Sequence, residues 1–310
     1  ASAVLIPETY GGLVLSPVDA CVFAEAFGYH ATPVAYCATA GIVPAAVLAA
    51  GSDAQKEKWL PKLASGELIV GAALSEHSGS RNAQVTAREG KLSGRALFVI
   101  DADADAYLVA DSQAGLHWVA ADAAGLKRVA LPTIDRTRPV AELVFDGVSA
   151  EPLPGSNAAV IQRALTMGRL LLAADTLGAA QHMLDKAVAY AGERKQFDRL
   201  IGSFQAVKHM CADMAAALEP TRSFVWYAAH AVAEGSDDAD LAVCQLKAHL
   251  AEVARQVAKT ATEVHGGMGF TDLLGLHYWF KRIGLNRQLL GSPEWLRRQA
   301  AQLQGLVATG

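Results

Sequence analysis

Apolar residues recur at helical spacing from Ser16 to about Ala64. They then break into short runs separated by Gly, Asp and Pro from Leu68 to about Leu153, and return to helical spacing from Asn157 onward. In the first stretch Ser16-Pro17 supplies an N-cap and a proline at the first helical position. A second helix is expected from roughly Thr39 to Ala50, closed by Gly51-Ser52, and a third from Asp53 to Leu60. The middle runs LIVGAALSE, KLSGRALFVI, AYLVAD, HWVAAD, LKRVALPT and AELVFDGV have the spacing of a small antiparallel barrel or sandwich, ended by Pro152-Leu153-Pro154-Gly155. Ala158 to Ala191 then gives one helix of about 50 Å, a length that calls for a bundle around it. Helices from Phe204 to Glu234, with Pro220 expected to kink it, and from Asp237 to His265 follow. Two shorter ones near Leu276 to Leu290 and Pro293 to Leu306 complete the pattern. The expected fold is α+β and multidomain: a helical domain over 1–67, a β-domain over 68–153 and a helix bundle over 154–310.

At 310 residues the chain can bury a large core. Its hydrophobic content of 52% is broken throughout by charges, and no run approaches a membrane span. A net charge of −4 gives no basic field for nucleic acid. Cys21, Cys37, Cys211 and Cys244 are scattered without metal spacing and read as buried thiols of a reducing cytosol; no secretory signal is visible, so the expected location is cytoplasmic. His182, His209, His230, His249 and His265 lack a metal-binding pattern. Asp103, Asp105 and Asp111 lack the Gly and closing Glu of a calcium loop, so no metal site is expected.

The candidate chemistry gathers where the long helix ends. Arg194 closes that helix, Lys195-Gln196-Phe197 turn the chain, and Phe204-Gln205 open the next helix; far downstream, Glu263-Val264-His265-Gly266-Gly267-Met268-Gly269-Phe270 ends the third. A cation at a helix C-terminus complements the helix dipole, and a glycine cluster is commonly a cap. Occurring together, with this spacing, they are more specific.

On these residues the chain resembles the acyl-CoA dehydrogenases, a family of FAD-dependent enzymes. The resemblance extends to Ile6-Pro7-Glu8-Thr9-Tyr10-Gly11-Gly12, Glu25-Ala26-Phe27-Gly28, Gly51-Ser52-Asp53 and Trp59 through Glu67, so it covers nearly the whole chain. Members carry a few dozen residues of helix before their PEEYGG-like segment, which here begins at residue 6; a short member, or absent first helices, is therefore expected. The resemblance implies a reaction in which a carboxylate removes the proton next to a thioester and a hydride passes to flavin. Most members place that carboxylate in a YEGT-like segment, where this chain has Leu290. Others place it in an LERLVLA-like segment of the long helix, where this chain has Gly168. No catalytic residue is assigned. Glu294, four residues past Leu290, is the remaining suspect for a displaced base, against the simpler reading of an acid in the first turn of a helix.

The resemblance also implies a FAD shared between two chains. The half that a neighbour lends corresponds here to Arg194, Gln196, Phe197, Ile201, Phe204, Gln205, Val207, Glu263, Val264, Gly266 and Gly267, with Asp198 replacing the usual Gly and Glu263 a Gln. The half that a chain provides for its own flavin is eroded. Its TEPxAGSD-like loop reads Ser75-Glu76-His77-Ser78-Gly79-Ser80-Arg81-Asn82, its WITN-like strand Phe98-Val99-Ile100-Asp101, and its YEGT-like segment ends in Ser292-Pro293-Glu294. The resulting expectation is a non-catalytic subunit of an α2β2 acyl-CoA dehydrogenase like those of actinobacteria that shorten steroid side chains. A homologous partner would supply the catalytic glutamate and most of the acyl-CoA site. Two alternatives remain: a homotetramer with a displaced base, and a flavin-free scaffold or binding protein of the same fold.

Overall fold

The computed structural model describes residues 1–79 and 83–307. Helix α1 (Pro17–Tyr29) opens on a capping box: the Ser16 hydroxyl accepts from the Asp19 backbone N–H, and the Asp19 carboxylate accepts from the Ser16 N–H at 2.8 Å. The expected second helix begins earlier, as a buried π-helical turn over Cys37–Ile42 that passes into α2 (Val43–Ala50). Pro44 offers no N–H to the carbonyl four residues before it, which favours the wider turn there. Helix α3 (Asp53–Ser65) has a second capping box, Ser52 with Gln55, and runs through Pro61 past the expected stop at Leu60 to Gly66.

Eight strands follow: β1 (Val70–Ala73), β2 (Gln84–Arg88), β3 (Lys91–Ile100), β4 (Ala106–Ala110), β5 (Leu116–Ala120), β6 (Leu126–Ala130), β7 (Val140–Ser149) and β8 (Glu151–Pro152). Their order in the sheet is β6-β7-β3-β1-β4-β5-β8, with β2 paired to β3. The sheet is mixed rather than wholly antiparallel, because β1 and β4 run parallel. The β2–β3 hairpin is inserted between them in sequence and pairs with the other side of β1, so the chain reaches β4 in the direction in which it left β1. Adjacent residues alternate between two cores: Ala72, Ile100 and Leu108 face the helices, while Ala73, Val99, Tyr107 and Val109 face the inside of the sheet. This two-sided burial explains why β4 is apolar throughout. Trp59 of α3 stacks on Trp118 of β5 at 4.0 Å, joining the first helices to the sheet.

The bundle comprises α4 (Ala158–Glu193), α5 (Gln205–Glu234), α6 (Ala239–His265), α7 (Leu276–Gln288) and α8 (Pro293–Leu303). The α5 helix continues across Pro220. From Ala164 to Ala180 every residue of α4 is buried. It crosses α1 through a pair of glycines: a Cβ on Gly28 would lie 1.9 Å from the Asp175 carbonyl oxygen, and one on Gly178 would lie 1.9 Å from that of Glu25. Beside this crossing the Asp175 carboxylate accepts from Arg282 Nε at 2.9 Å and Nη2 at 2.6 Å, from Asn286 at 2.6 Å and from Arg138 at 3.2 Å. The clamp ties α4 to α7 and to the loop before β7. Burial alone would raise the Asp175 carboxyl, but the guanidiniums of Arg282 and Arg138 outweigh it and hold it below the usual range.

Replacing Asp175 with Asn leaves two buried cations without their anion and should cost on the order of 3–5 kcal/mol, read from the urea midpoint. The carboxylate's contribution is present above its unfolded pKa near 3.8 and is lost as pH falls through the lower folded value, so the deficit of the variant should shrink in acid. A deficit below about 1 kcal/mol at pH 7 would show that the clamp is not a main support.

Candidate functional site

Helix α4 ends at Glu193, and Arg194 leaves the helix in an extended conformation. A two-residue hairpin follows, Lys195–Gln196 paired with Arg199–Leu200. Its tip, Phe197 and Asp198, has φ of 52° and 59°, the left-handed pair that a tight hairpin demands. Ile201 N–H donates to the Arg194 carbonyl at 2.8 Å and closes the turn. The Arg199 guanidinium lies 3.9 Å from the centroid of the Phe204 ring. Phe197 stands 88% exposed, its ring edge-to-face with Phe204 at 6.3 Å. Phe204 is the N-cap of α5 and contributes no side-chain cap, so the first N–H groups of α5 lack a side-chain acceptor beside the exposed Arg194 and Gln205.

The glycine turn lies next to this corner. At the end of α6 the buried His265 ring stacks on Tyr190, near the end of α4, at 4.5 Å, and His265 Nδ1 bonds to the Ala261 carbonyl at 2.7 Å. Gly266 follows at φ 58° and ψ −139°, a conformation reserved for glycine. A Cβ on Gly266 or Gly267 would meet nothing within 4 Å, whereas one on Gly269 would collide with the Thr262 carbonyl at 2.6 Å. The first two glycines therefore present bare backbone to open space, and the third is a packing residue. Glu263 pairs with Lys259 at 3.7 Å, one turn back, so its charge is balanced locally. Val264 is buried and Val207 half-buried; these two, with Ile201, pack against the core beneath the polar groups. The Gln196 side-chain amide donates to the Lys195 carbonyl at 2.9 Å. An anion placed here would meet Arg194, an uncapped helix N-terminus and exposed glycine backbone, a donor set suited to phosphate.

The two positions at which the family resemblance places a base converge. Leu290 is 7% exposed at φ 56°. A Cβ on Gly168 would lie 2.6 Å from Leu290 Cδ1 and 2.7 Å from Ile42 Cδ1. Leucine and isoleucine thus fill the space over Gly168. Glu294 accepts from Arg287 at 3.0 Å on the protein surface, in the first turn of α8; its own backbone N–H, then the Ser292 hydroxyl and Arg287 hold its carboxyl low, as expected of a helix-start acid.

Two buried cations grip the loop that contains Leu290. Arg169 Nε donates to the Leu290 carbonyl at 3.0 Å and Lys247 Nζ to the Gly291 carbonyl at 3.0 Å. The signal for both is a cation inside an apolar helical run. In the segment expected to border the chain's own flavin, Ile100 is buried in the core, Asp101 accepts from the Ala38 N–H at 2.8 Å, and Phe98 is half exposed at φ 52°. Ser75 accepts from the Leu97 N–H at 2.9 Å; Ser80, Arg81 and Asn82 lie outside the described residues. No group of three or more His, Cys, Asp or Glu suited to a metal occurs among the described residues, and no helix there is long and apolar enough to cross a membrane.

Residues 2–67 match the family model for the N-terminal domain of acyl-CoA dehydrogenases, and residues 158–304 match that for the C-terminal domain. The chain belongs to the acyl-CoA dehydrogenase family. Among its relatives, acyl-CoA dehydrogenase IpdE2 of Mycolicibacterium smegmatis is 31% identical, over 98% of this chain and 84% of that protein. The mitochondrial isovaleryl-CoA dehydrogenase of Arabidopsis thaliana is 32% identical, over 86% of this chain and 71% of that protein. The solved Tcur3481-Tcur3483 steroid ACAD G363A variant superposes with a TM-score of 0.87 at 27% identity, over 98% of this chain and 85% of that one. Membership makes the chain part of an oxidoreductase family of flavoproteins, with the fold described above.

Burial, followed by repulsion from Arg169, pushes the Lys247 ammonium down to about 7 from an ordinary value of 10.5. Between those values the unfolded chain binds more protons than the folded one, so stability rises with pH. Urea midpoints should climb from pH 7 to 9, and Lys247→Met should flatten that climb. Parallel pH profiles for the two proteins would contradict the assignment.

Proposed function

We propose that this chain is the non-catalytic subunit of a heteromeric acyl-CoA dehydrogenase, lending half of a FAD site to a homologous partner that supplies the catalytic glutamate. The observation that favours this reading is the contrast between two regions of one helix. At Gly168 the place for a base is closed by Leu290 and Ile42, while at Arg194 the polar groups remain open to solvent. The two points are about 39 Å apart at 1.5 Å per residue, longer than an extended dinucleotide, so they face different flavins. Bound FAD supplies the hydride acceptor for α,β-desaturation of a thioester. Arg194 and the α5 N-terminus would neutralise its pyrophosphate, the Gly266-Gly267 backbone would allow close approach, and Phe197 and Phe204 would shield it from water.

In this reading the assembly is α2β2, the acyl-CoA lies mainly in the partner, and the chain works in the cytoplasm, where its four free cysteines stay reduced. The likeness to the Tcur3481-Tcur3483 steroid ACAD supports a two-chain enzyme and a steroid acyl group. Glu294, exposed and held low by its own backbone N–H, the Ser292 hydroxyl and Arg287, offers little to the homotetramer alternative.

Arg194→Ala, in the complex with the partner, should weaken FAD retention by roughly tenfold or more, the worth of a lost charge-assisted contact to phosphate. Leu290→Ala should leave turnover nearly unchanged. Equal and severe loss of turnover from both would defeat the assignment.

A further inference from the structure

We propose that this chain shuts its own flavin half-site with its own side chains, Trp295 acting as the principal plug and Leu290 as the second. The inference rests on the reading above, in which the segments 75–79, 98–101 and 289–292 border that half-site. Among the described residues, the space between the bordering loops is occupied.

Trp295 stands in the first turn of α8 and inserts between a loop of the sheet and a loop of the bundle. A Cβ on Gly79 would lie 2.6 Å from Trp295 Nε1 and 2.7 Å from Cδ1; one on Gly291 would lie 2.8 Å from Cε3. Both glycines have positive φ, 81° and 115°, so each turns bare backbone onto an edge of the indole. The Arg169 guanidinium carbon lies 5.0 Å from the centroid of the ring, within cation–π range. The same guanidinium donates to the Leu290 carbonyl, and the Leu290 side chain covers Gly168 together with Ile42. The residues present therefore do not fit a flavin. A planar tricyclic ring lying between these loops would need the volume that the half-buried indole holds. The half-site is sealed whether or not flavin is abundant, which confines binding to the lending corner of the shared site.

Lumiflavin, the flavin ring without ribityl or phosphate groups, tests the plug without calling on the phosphate-binding corner. The complex of this chain with its partner is first saturated with FAD and then titrated with lumiflavin, read by quenching of lumiflavin fluorescence. Wild type should take up none, whereas Trp295→Ala should take it up, and stoichiometrically once Leu290→Ala is added. Indole, which matches the deleted side chain, serves as the control for an opened cavity. If the alanine variant fails to fold by circular dichroism, Trp295→Leu replaces it, with weaker uptake expected. A folded variant that takes up indole but no lumiflavin, or neither, overturns the proposal. Arg194→Ala separates the two readings: unaltered FAD retention there would defeat the shared site, while lumiflavin uptake by the Trp295 variant reports on the plug alone.

Discussion

A single helix whose middle is buried on every side sets the terms for the rest of the molecule. The α4 helix is 36 residues long and threads the junction between the first helices, the sheet and the bundle. Such burial is possible only if small residues stand where other backbones cross. Gly178 meets the α1 backbone at a distance that no Cβ would tolerate, and Gly168 leaves room for the Leu290 and Ile42 side chains. A buried helix surface also admits charge only where charge is answered. Asp175 is answered by Arg282, Arg138 and Asn286, and in that way α7 and the loop before β7 are fixed relative to α4. The helix ends where its cover ends, and Arg194 emerges into solvent with the hairpin and the uncapped start of α5 beside it.

In the proposed shared-flavin reading, this geometry separates two functions that a self-sufficient member would combine. Near its middle the helix passes the place for a carboxylate, and aliphatic side chains fill that place. At its end it presents cationic and backbone donors that nothing in this chain occupies among the described residues. Open donors beside exposed Phe197 and Phe270, 88% and 82% accessible, describe a surface that gains by contact with a second molecule. Trp295 and Leu290 give the complementary account of the closed half, in which side chains replace a ligand that the loops would otherwise enclose.

Much of this was legible in the sequence where a local rule decides the outcome. The capping boxes at Ser16 and Ser52 start helices where serine with an acid or amide three residues on predicts them, and the apolar period of α4 ends within two residues of its expected limit. The glycine turn and the Arg194 corner were readable as motifs, although only the Tyr190–His265 stack reveals that they adjoin. What escaped depended on tertiary context. The parallel pairing of β1 with β4 follows from where a hairpin is inserted, which periodicity does not report. The π-helical turn at Cys37 lies in an apolar run without a distinctive signal. Lys247 shows in the sequence only as a cation inside an apolar run and Trp295 looks ordinary; their roles appear only when the carbonyl or the glycines they meet come from distant segments.

The account turns on one flavin shared between two kinds of chain. Native mass spectrometry with flavin quantitation, on this chain produced with a homologous chain that carries the glutamate missing at Leu290, tests it most directly. Two chain types in equal number with one FAD per pair is the predicted result. A single chain type binding one FAD per chain would contradict it.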